Sequence, residues 1–247
     1  MALIAAAIKR VLPDPVIKAI RTYRGRSKLK EFAGLTNQEV FTKIYDEGSW
    51  GAAHDPGQTF FSGSGSRAGP VVETYVDAVG RFLGSLDHKP DVVDLGCGDF
   101  HVGSRLRSLC SAYVACDIVE PLIAFNAKTF EGLGVDFRTL DLTKDELPSG
   151  EVVFVRQVLQ HLSNDDIARA LPGIQSRYRY LVLTEHVPHA PFTHNLDKAS
   201  GPDNRLDIHS GIVVTSPPFN LAPVESTILC QVEEWGGIIR TILYRLH

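Results

Sequence analysis

The sequence has no run of about 18 apolar residues, which is the length that a membrane-spanning helix needs. The apolar start, Met1 to Ile8, has no preceding basic region and no cleavage site, so it does not have the pattern of a secretory leader. The four cysteines have no metal-ligand spacing, and Cys97 and Cys116 fall in or beside apolar runs typical of buried strands. These absences predict a cytoplasmic protein with reduced thiols.

A broad basic surface is also missing. The 247 residues carry a net charge of −4, but residues 1–30 hold eight Lys and Arg against one Asp, so the remainder carries −11. An acidic body argues against an enzyme that binds duplex nucleic acid. The length and the 44% apolar content allow one large domain, alone or with an appendage.

The basic segment 1–30 predicts two short helices divided at Pro13-Asp-Pro15, each with a narrow apolar face. One interpretation is an arm for a membrane surface or an anionic partner. The other, which we prefer because the apolar face is short, is packing on the body or on a second copy of the chain, which would give a homodimer.

A strand followed by a glycine turn stands at residues 91–100, Asp-Val-Val-Asp-Leu-Gly-Cys-Gly-Asp-Phe. Its apolar residues predict a buried strand, and Gly96 and Gly98 predict a sharp turn that lets a ligand lie against main-chain N–H groups. His101 stands where a dinucleotide fingerprint has its third glycine, and no lysine follows as in a phosphate-binding loop. Asp94 and Asp99 instead suit a cationic ligand.

This stretch resembles motif I of the class I S-adenosylmethionine-dependent methyltransferases, Asp-x-Gly-x-Gly. The resemblance covers about residues 70–185 and 226–245 and implies S-adenosyl-L-methionine as the cofactor. It places Asp117 and Ile118 after the second strand, near the ribose, and Asp141 and Leu142 after the third, near the adenine. The cofactor-binding residues that we expect in this part of the chain are Asp94, Gly96, Gly98, Asp117, Ile118, Asp141, Leu142, Arg156 and Gln157.

The alternation of strands and helices predicts an α/β fold, a Rossmann-like, doubly wound and mostly parallel sheet of seven strands. Two apolar runs around Trp235-Gly-Gly237 predict an antiparallel hairpin at its end. We expect N-terminal helices and a cofactor-covering lid in residues 1–68, and the methyltransferase domain in residues 69–247. Residues 186–225, rich in His, Asn, Asp and Pro, are predicted to form a substrate insertion.

The glycine- and serine-rich run 60–67 follows a predicted helix that begins at a capping box, Thr36 to Glu39. Successive small residues expose donors that can surround a carboxylate, so Ser64 and Ser66 are predicted to bind the methionine end of the cofactor. Trp50 would form a wall of the pocket. A plain flexible loop is the alternative.

Methyl transfer needs an aligned acceptor, and an alcohol acceptor also needs a base or a metal ion. His161 and His186 are the candidate bases, and Gln157 would share a helical face with His161. Glu185 and Asp197 are the candidate ligands of Mg²⁺. The histidines and acids after the fifth strand resemble bacterial sugar O-methyltransferases, including those acting on methylmannose polysaccharide.

The predicted activity is therefore methyl transfer to a hydroxyl of a small polar acceptor, a sugar or oligosaccharide. Nucleic acid is not an expected partner, and no transmembrane segment is expected. The alternatives are a catalytically silent partner subunit with this fold, and an N-methyltransferase of a small molecule or a protein.

Overall fold

The computed structural model describes residues 31–51, 59–67 and 69–247. The chain divides into two units, Met1–Leu35 and Thr36–His247, and the fold described below is that of the second. The two helices predicted in residues 1–30, and their role at a dimer interface or as an arm, lie outside the described residues. The predicted boundary between residues 68 and 69 stays a prediction.

Seven strands form the main sheet in the order β3-β2-β1-β4-β5-β9-β8, and two short strands, β6 and β7, pair separately. All neighbours from β3 to β5 run parallel, whereas β9 is antiparallel to both β5 and β8. The strands are β1 (Val92–Leu95), β2 (Tyr113–Asp117), β3 (Asp136–Thr139), β4 (Val152–Arg156), β5 (Tyr180–Val187), β6 (Thr193–His194), β7 (Ser210–Gly211), β8 (Glu225–Glu234) and β9 (Gly237–Arg245). The predicted Rossmann-like sheet with an antiparallel C-terminal hairpin is confirmed.

The helices cover the parallel part of this sheet. They are α1 (Asn37–Asp46), α2 (Gly69–Gly84), α3 (His101–Leu106), α4 (Glu120–Thr129) and α5 (Asn164–Arg177), with short 3₁₀ turns between them. The predicted capping box is present at the start of α1: Thr36 Oγ1 accepts from the N–H of Glu39, and the Glu39 carboxylate accepts from the N–H of Thr36. In the described part of the chain, no helix has the length and apolar character that crossing a membrane requires.

The core lies between α2 and the middle of the sheet. All four residues of β1 are buried, and so are Val152–Val155 of β4. Strands buried on both faces read as continuous apolar runs instead of alternating ones, which is why β1 and β4 are visible in the sequence. Phe100, Tyr113 and Phe154 form a row of edge-to-face rings at the centre.

Two helix boundaries differ from what the residue types predict, which is a helix over residues 103–111 and a helix capped at Ser163 that ends at Pro172-Gly173. The helix after the glycine turn ends as an α-helix at Leu106 and continues as a 3₁₀ turn, Arg107–Leu109. Helix α5 does not end at Pro172-Gly173 but runs on to Arg177. Proline costs one backbone hydrogen bond there, while Ile167, Leu171 and Ile174 keep the buried face of the helix continuous.

Candidate active site

The glycine turn after β1 is tied to the neighbouring strand by its own backbone. The N–H groups of Gly96 and Cys97 donate to the carbonyl of Cys116 at 2.8 and 2.9 Å. Gly96 and Gly98 have φ angles of +77° and +56°, which a residue with a Cβ adopts only at a cost. A Cβ on Gly96 would also collide with the side chain of Val158. Both predicted glycines are therefore required by the shape of the turn.

Asp117, at the end of β2, is oriented by the same turn. Its carboxylate accepts from the N–H of Gly98 and the N–H of Val119, both at 3.1 Å, while Asn126 donates to the carbonyl of Gly98 at 2.7 Å. Burial raises the pKa of Asp117 to about 6, and the backbone donors act in the opposite direction. A carboxylate held this way is preorganised to accept hydrogen bonds from a ligand's hydroxyl groups. Ile118, half-buried, follows it in the turn.

Asp94 lies inside β1 and is almost fully buried. Its carboxylate accepts from the hydroxyl of Tyr113 at 2.9 Å. Burial raises the pKa of Asp94 to about 7, while the hydrogen bond from Tyr113 and the charge of Arg156 lower it. Asp94 is thus a buried acid that can lose its proton and become negatively charged when a cationic ligand binds beside it.

The predicted lid, residues 59–67, is fastened to the glycine turn. The N–H of Asp99 donates to Ser62 Oγ at 2.7 Å, the N–H of Ser62 donates to the Asp99 carboxylate at 3.3 Å, and Arg67 forms an ion pair with that carboxylate at 3.0 Å. The hydroxyl of Tyr45, on α1, lies 2.8 Å from Ser62 Oγ. The lid therefore covers the turn and links it to α1.

Arg156 reaches the same lid from the end of β4. It donates to the carbonyl of Gly65 at 2.6 Å and to Ser66 Oγ at 3.4 Å, and its guanidinium lies 5.0 Å from the centre of the Tyr75 ring. Its Nε is shielded from solvent and has no hydrogen-bond partner in the described residues. A buried cation with unused hydrogen-bonding capacity suits a ligand carboxylate. Of the two serines predicted to bind the cofactor, Ser66 therefore lies beside Arg156, whereas Ser64 is exposed to solvent.

We expect Gly98→Ala to loosen this assembly. A Cβ at position 98 would lie 2.5 Å from Ser62 Oγ, and the left-handed backbone adds about 1–2 kcal/mol. The lid should detach and cofactor affinity should fall at least tenfold by calorimetry. Gly132→Ala is the control, since a Cβ there meets no atom within 4 Å. Equal affinity in the two variants would contradict the proposed role of the turn.

Asp141 and Leu142 stand two and three residues after the end of β3. Asp141 accepts from the N–H and the hydroxyl of Thr143 at 2.9 and 2.7 Å, and Lys144 lies 3.3 Å from it. Both residues are half-buried. The structure thus gives Asp141 a local turn-forming contact, and its predicted contact with adenine stays a prediction.

The turn after β4 differs from the prediction that Gln157 and His161 share a helical face. Gln157 has a φ of +57°, and a 3₁₀ turn begins only at Leu159 and ends at His161. The N–H of Gln157 donates to the carbonyl of Thr184 at 2.6 Å, and its side chain lies against Gly65 of the lid. Gln157 therefore faces the lid from a left-handed position, a conformation that is enriched at functional sites.

Glu185 and Arg205 hold this turn from two sides. The Glu185 carboxylate accepts from the N–H of Leu159 at 3.0 Å and of Gln160 at 2.9 Å. Arg205, whose side chain is fully buried, makes five hydrogen bonds. Its acceptors are the carbonyl groups of Leu159, Gln160, Leu162 and Leu196 and the Asn164 side chain. The sequence gives no sign of this role, because Arg205 stands in a polar insertion without periodicity.

The predicted Mg²⁺ ligands do not fit a metal site. Both oxygens of Glu185 are occupied by backbone N–H groups, and Asp197 accepts from the N–H of Asn164 at 2.8 Å. Among residues 31–51, 59–67 and 69–247, no group of three or more His, Cys, Asp or Glu side chains is placed to hold a metal ion.

The two predicted bases have different surroundings. The His161 ring packs against the Trp50 ring at 5.1 Å with the two planes tilted by 48°, and its Nε2 lies 3.1 Å from Gln160 Nε2. His186 is buried, and its Nε2 lies 2.8 Å from the carbonyl of Glu234. Burial lowers the pKa of both rings, that of His161 to about 3. Both rings are therefore neutral near pH 7.

Trp50 connects α1 with the insertion. Its ring contacts Tyr45 at 5.2 Å and His161 at 5.1 Å, and its indole N–H donates to the carbonyl of Pro202 at 3.0 Å. Phe60 of the lid packs on Tyr45 at 5.8 Å. The predicted wall is thus an aromatic surface with polar groups of the insertion at its border.

The chain is similar to known methyltransferases in part of its sequence and in its fold. Residues 92–179 match the family model of a methyltransferase domain. No curated protein sequence is similar enough to match the chain.

Three solved structures illustrate the shared fold. Magnesium protoporphyrin IX methyltransferase (ChlM) from Synechocystis PCC 6803, solved with bound SAM, is 16% identical, with 86% of this chain and 99% of that chain covered and a TM-score of 0.56. The N-methyltransferase NodS from Bradyrhizobium japonicum WM9, solved with S-adenosyl-L-homocysteine, is 14% identical, with 85% and 99% covered and a TM-score of 0.59. The bifunctional kinase-methyltransferase WbdD is 16% identical, with 74% of this chain and 40% of that chain covered and a TM-score of 0.51.

At these identities the likeness concerns the fold, and the family match concerns the segment that carries the glycine turn, Asp117 and the turn after β4. Residues 92–179 therefore match a methyltransferase domain, in a chain that has a Rossmann-like methyltransferase fold.

Proposed function

We propose that the chain is an S-adenosylmethionine-dependent methyltransferase that acts on a hydroxyl group of a small polar acceptor, a sugar or oligosaccharide. The observation that carries the proposal is the Gly96–Gly98 turn with the Asp117 carboxylate fixed beside it by two backbone N–H groups. That carboxylate has the position and the charge to accept hydrogen bonds from ribose hydroxyls.

The chain supplies matching groups for the other end of the cofactor. Arg156, with its unpartnered Nε, suits the methionine carboxylate, and the acid Asp94 suits the amino group. Gly65 and Ser66 of the lid, which Arg156 contacts, would close this end from solvent. The cofactor, when bound, supplies an activated methyl group, so the protein itself has to orient the acceptor and receive a proton.

The acceptor site that we propose lies between Trp50 and the insertion. Aromatic faces pack on the C–H faces of a sugar ring, and the bordering backbone carbonyls and polar side chains can bind its hydroxyls. His186 is the proposed proton acceptor. Because its Nε2 faces the Glu234 carbonyl, which only accepts, Nε2 carries the proton of the neutral ring and Nδ1 keeps a lone pair.

A second candidate, an amine acceptor, is favoured by one observation. Burial lowers the pKa of both His161 and His186, so both rings are weak bases. A neutral amine is nucleophilic without prior removal of a proton, so it does not need a general base to activate it before methyl transfer.

Two measurements test the proposal. Calorimetry should show binding of S-adenosyl-L-homocysteine to the full chain, and a panel of saccharides, amino sugars and small amines should be scored for methylated product. Product on hydroxyls supports the first candidate, and product on amines alone supports the second. Binding of the demethylated cofactor without turnover on any acceptor would favour a catalytically silent subunit. Absence of binding would overturn the proposal as a whole.

A further inference from the structure

The side chain of Gln160 is fixed in one orientation by a backbone group. The N–H of His186 lies beyond the last β4–β5 pair, Arg156 with Thr184, and donates to Gln160 Oε1 at 2.9 Å. Since a backbone N–H can only donate, the amide oxygen must face it, and the amide nitrogen takes the other side. The usual ambiguity between the two ends of a glutamine amide is thereby removed.

The amide nitrogen of Gln160 in turn fixes the protonation of His161. It lies 3.1 Å from Nε2 of the imidazole. An amide nitrogen only donates, so His161 Nε2 must accept, and the proton of the neutral ring must sit on Nδ1. The nitrogen that a general base would use is therefore already engaged.

The surroundings of His161 also oppose a doubly protonated ring. Lys198 and Arg205 are the cations that lie near it, and Trp50 covers the ring. Burial, with a smaller contribution from these two cations, lowers the pKa of His161 to about 3, while the backbone at Gly201 and Asp203 acts in the opposite direction.

The backbone of His161 is joined to the insertion. The N–H of Gly201 donates to the carbonyl of His161 at 2.9 Å, and Lys198 Nζ donates to the same carbonyl at 3.3 Å. Trp50, packed against the ring, donates to the carbonyl of Pro202. The ring is thus enclosed by Trp50, Gln160 and the segment 198–203.

We propose that Gln160 is a positioning residue that holds His161 as a neutral ring protonated on Nδ1, and that this ring braces the insertion against the turn after β4 instead of taking a proton from the acceptor. The statement about the acceptor rests on the proposed function. The statement about the tautomer does not, because it concerns the protein without ligands.

Nitrogen NMR of the full chain, labelled with ¹⁵N in histidine and free of ligands, tests the tautomer. The signal of His161 is assigned by its loss in His161→Asn and by its contacts with Trp50. The expected result is a proton on Nδ1 and no titration between pH 8 and 5, a range over which a histidine with an ordinary pKa of ~6.5 changes its charge. A proton on Nε2, or titration in that range, overturns the proposal.

Gln160→Glu tests the cause. A carboxylate at this position accepts from both the His186 N–H and the ring, so the His161 proton should move to Nε2 and the pKa of the ring should rise. Gln160→Met, which offers no hydrogen bond, should give a mixture of tautomers. The signals of His88, which contacts Glu151 on the surface, serve as the internal control in each variant. An unchanged His161 spectrum in Gln160→Glu contradicts the role of Gln160.

The function of the ring is tested by turnover, once an acceptor is known. Loss of a general base costs about 10²–10⁴-fold in kcat. For a bracing ring we expect His161→Asn to lower kcat less than tenfold and to raise KM for the acceptor. A fall in kcat of a hundredfold or more would restore His161 as the base. A wild-type chain without turnover would bear on the proposed function and would leave the tautomer result intact.

Discussion

Replacing Arg205 by methionine should lower the free energy of unfolding by about 3–5 kcal/mol, the usual cost of removing one partner from a buried ionic group. The side chain is fully buried and gives four of its five hydrogen bonds to acceptors in and just after the turn that follows β4, and the fifth to the carbonyl of Leu196 in the insertion. Methionine fills much of the volume but leaves those carbonyls without donors. Thermal unfolding should show a melting temperature about 6–20 °C lower.

Arg138→Met is the matched control, because Arg138 pairs with Asp136 on the surface, where both side chains are about half exposed. That change should cost about 0–1 kcal/mol.

The charge of Arg205 also lowers the pKa of Glu185, which burial raises, so Arg205→Met should raise this pKa further. Because burial already raises the pKa of Glu185 to about 8, both proteins should lose stability as the pH rises from 5 to 8, and in the variant the loss should continue above pH 8. Equal melting temperatures for Arg205→Met and Arg138→Met would show that the hydrogen bonds from Arg205 to the turn contribute little to stability.

Asp117→Ala should weaken binding of S-adenosyl-L-homocysteine by about 1.5–3 kcal/mol, roughly 10- to 150-fold, through the loss of charge-assisted hydrogen bonds to ribose. The same change removes the acceptor of the Gly98 and Val119 N–H groups, so the glycine turn loses an anchor as well. Asp117→Asn should not restore affinity, because its amide nitrogen would face one of these donors. Calorimetry of the three proteins measures the effect.

Asp136→Ala serves as the control for charge, since Asp136 is an exposed carboxylate on the neighbouring strand β3. The Asp136→Ala variant should bind S-adenosyl-L-homocysteine with the same affinity as the unsubstituted protein. A similar loss in both variants would mean that overall charge, and not the placement of Asp117, governs binding. Because burial raises the pKa of Asp117 to about 6, affinity should also fall as the pH drops below that value, where the carboxylate is protonated.

Much of the fold could be predicted from the sequence because its signals are local. Strands β1 and β4 are buried on both faces and leave continuous apolar runs, and the glycine turn is marked by its own residues. The hairpin of β8 and β9 follows from two strand-like runs around Trp235-Gly-Gly237. These features depend on neighbours within about ten residues.

The turn after β4 was harder to predict. The spacing of Gln157 and His161 fits one helical face, but the chain enters a left-handed conformation at Gln157 first. Helix geometry requires consecutive right-handed residues, and the pattern of residue types does not show where that sequence is interrupted. The predicted metal ligands Glu185 and Asp197 do not fit a metal site for a similar reason. The polar composition of the segment does not show that backbone N–H groups already donate to these two carboxylates.

The dependence of this turn on Arg205 has a consequence for how the protein is made. Leu159 leaves the ribosome 46 residues before the side chain that holds its carbonyl. Strands β1 to β4 can pair as they are synthesised, whereas the backbone between Leu159 and Asn164 has to wait, hydrated, until the whole segment up to Arg205 has been added. A nascent chain released before that point would carry the glycine turn and Asp117 but not the hydrogen bonds from Arg205 to the turn after β4. This turn is therefore completed only after α5, β5 and the first half of the insertion have been synthesised.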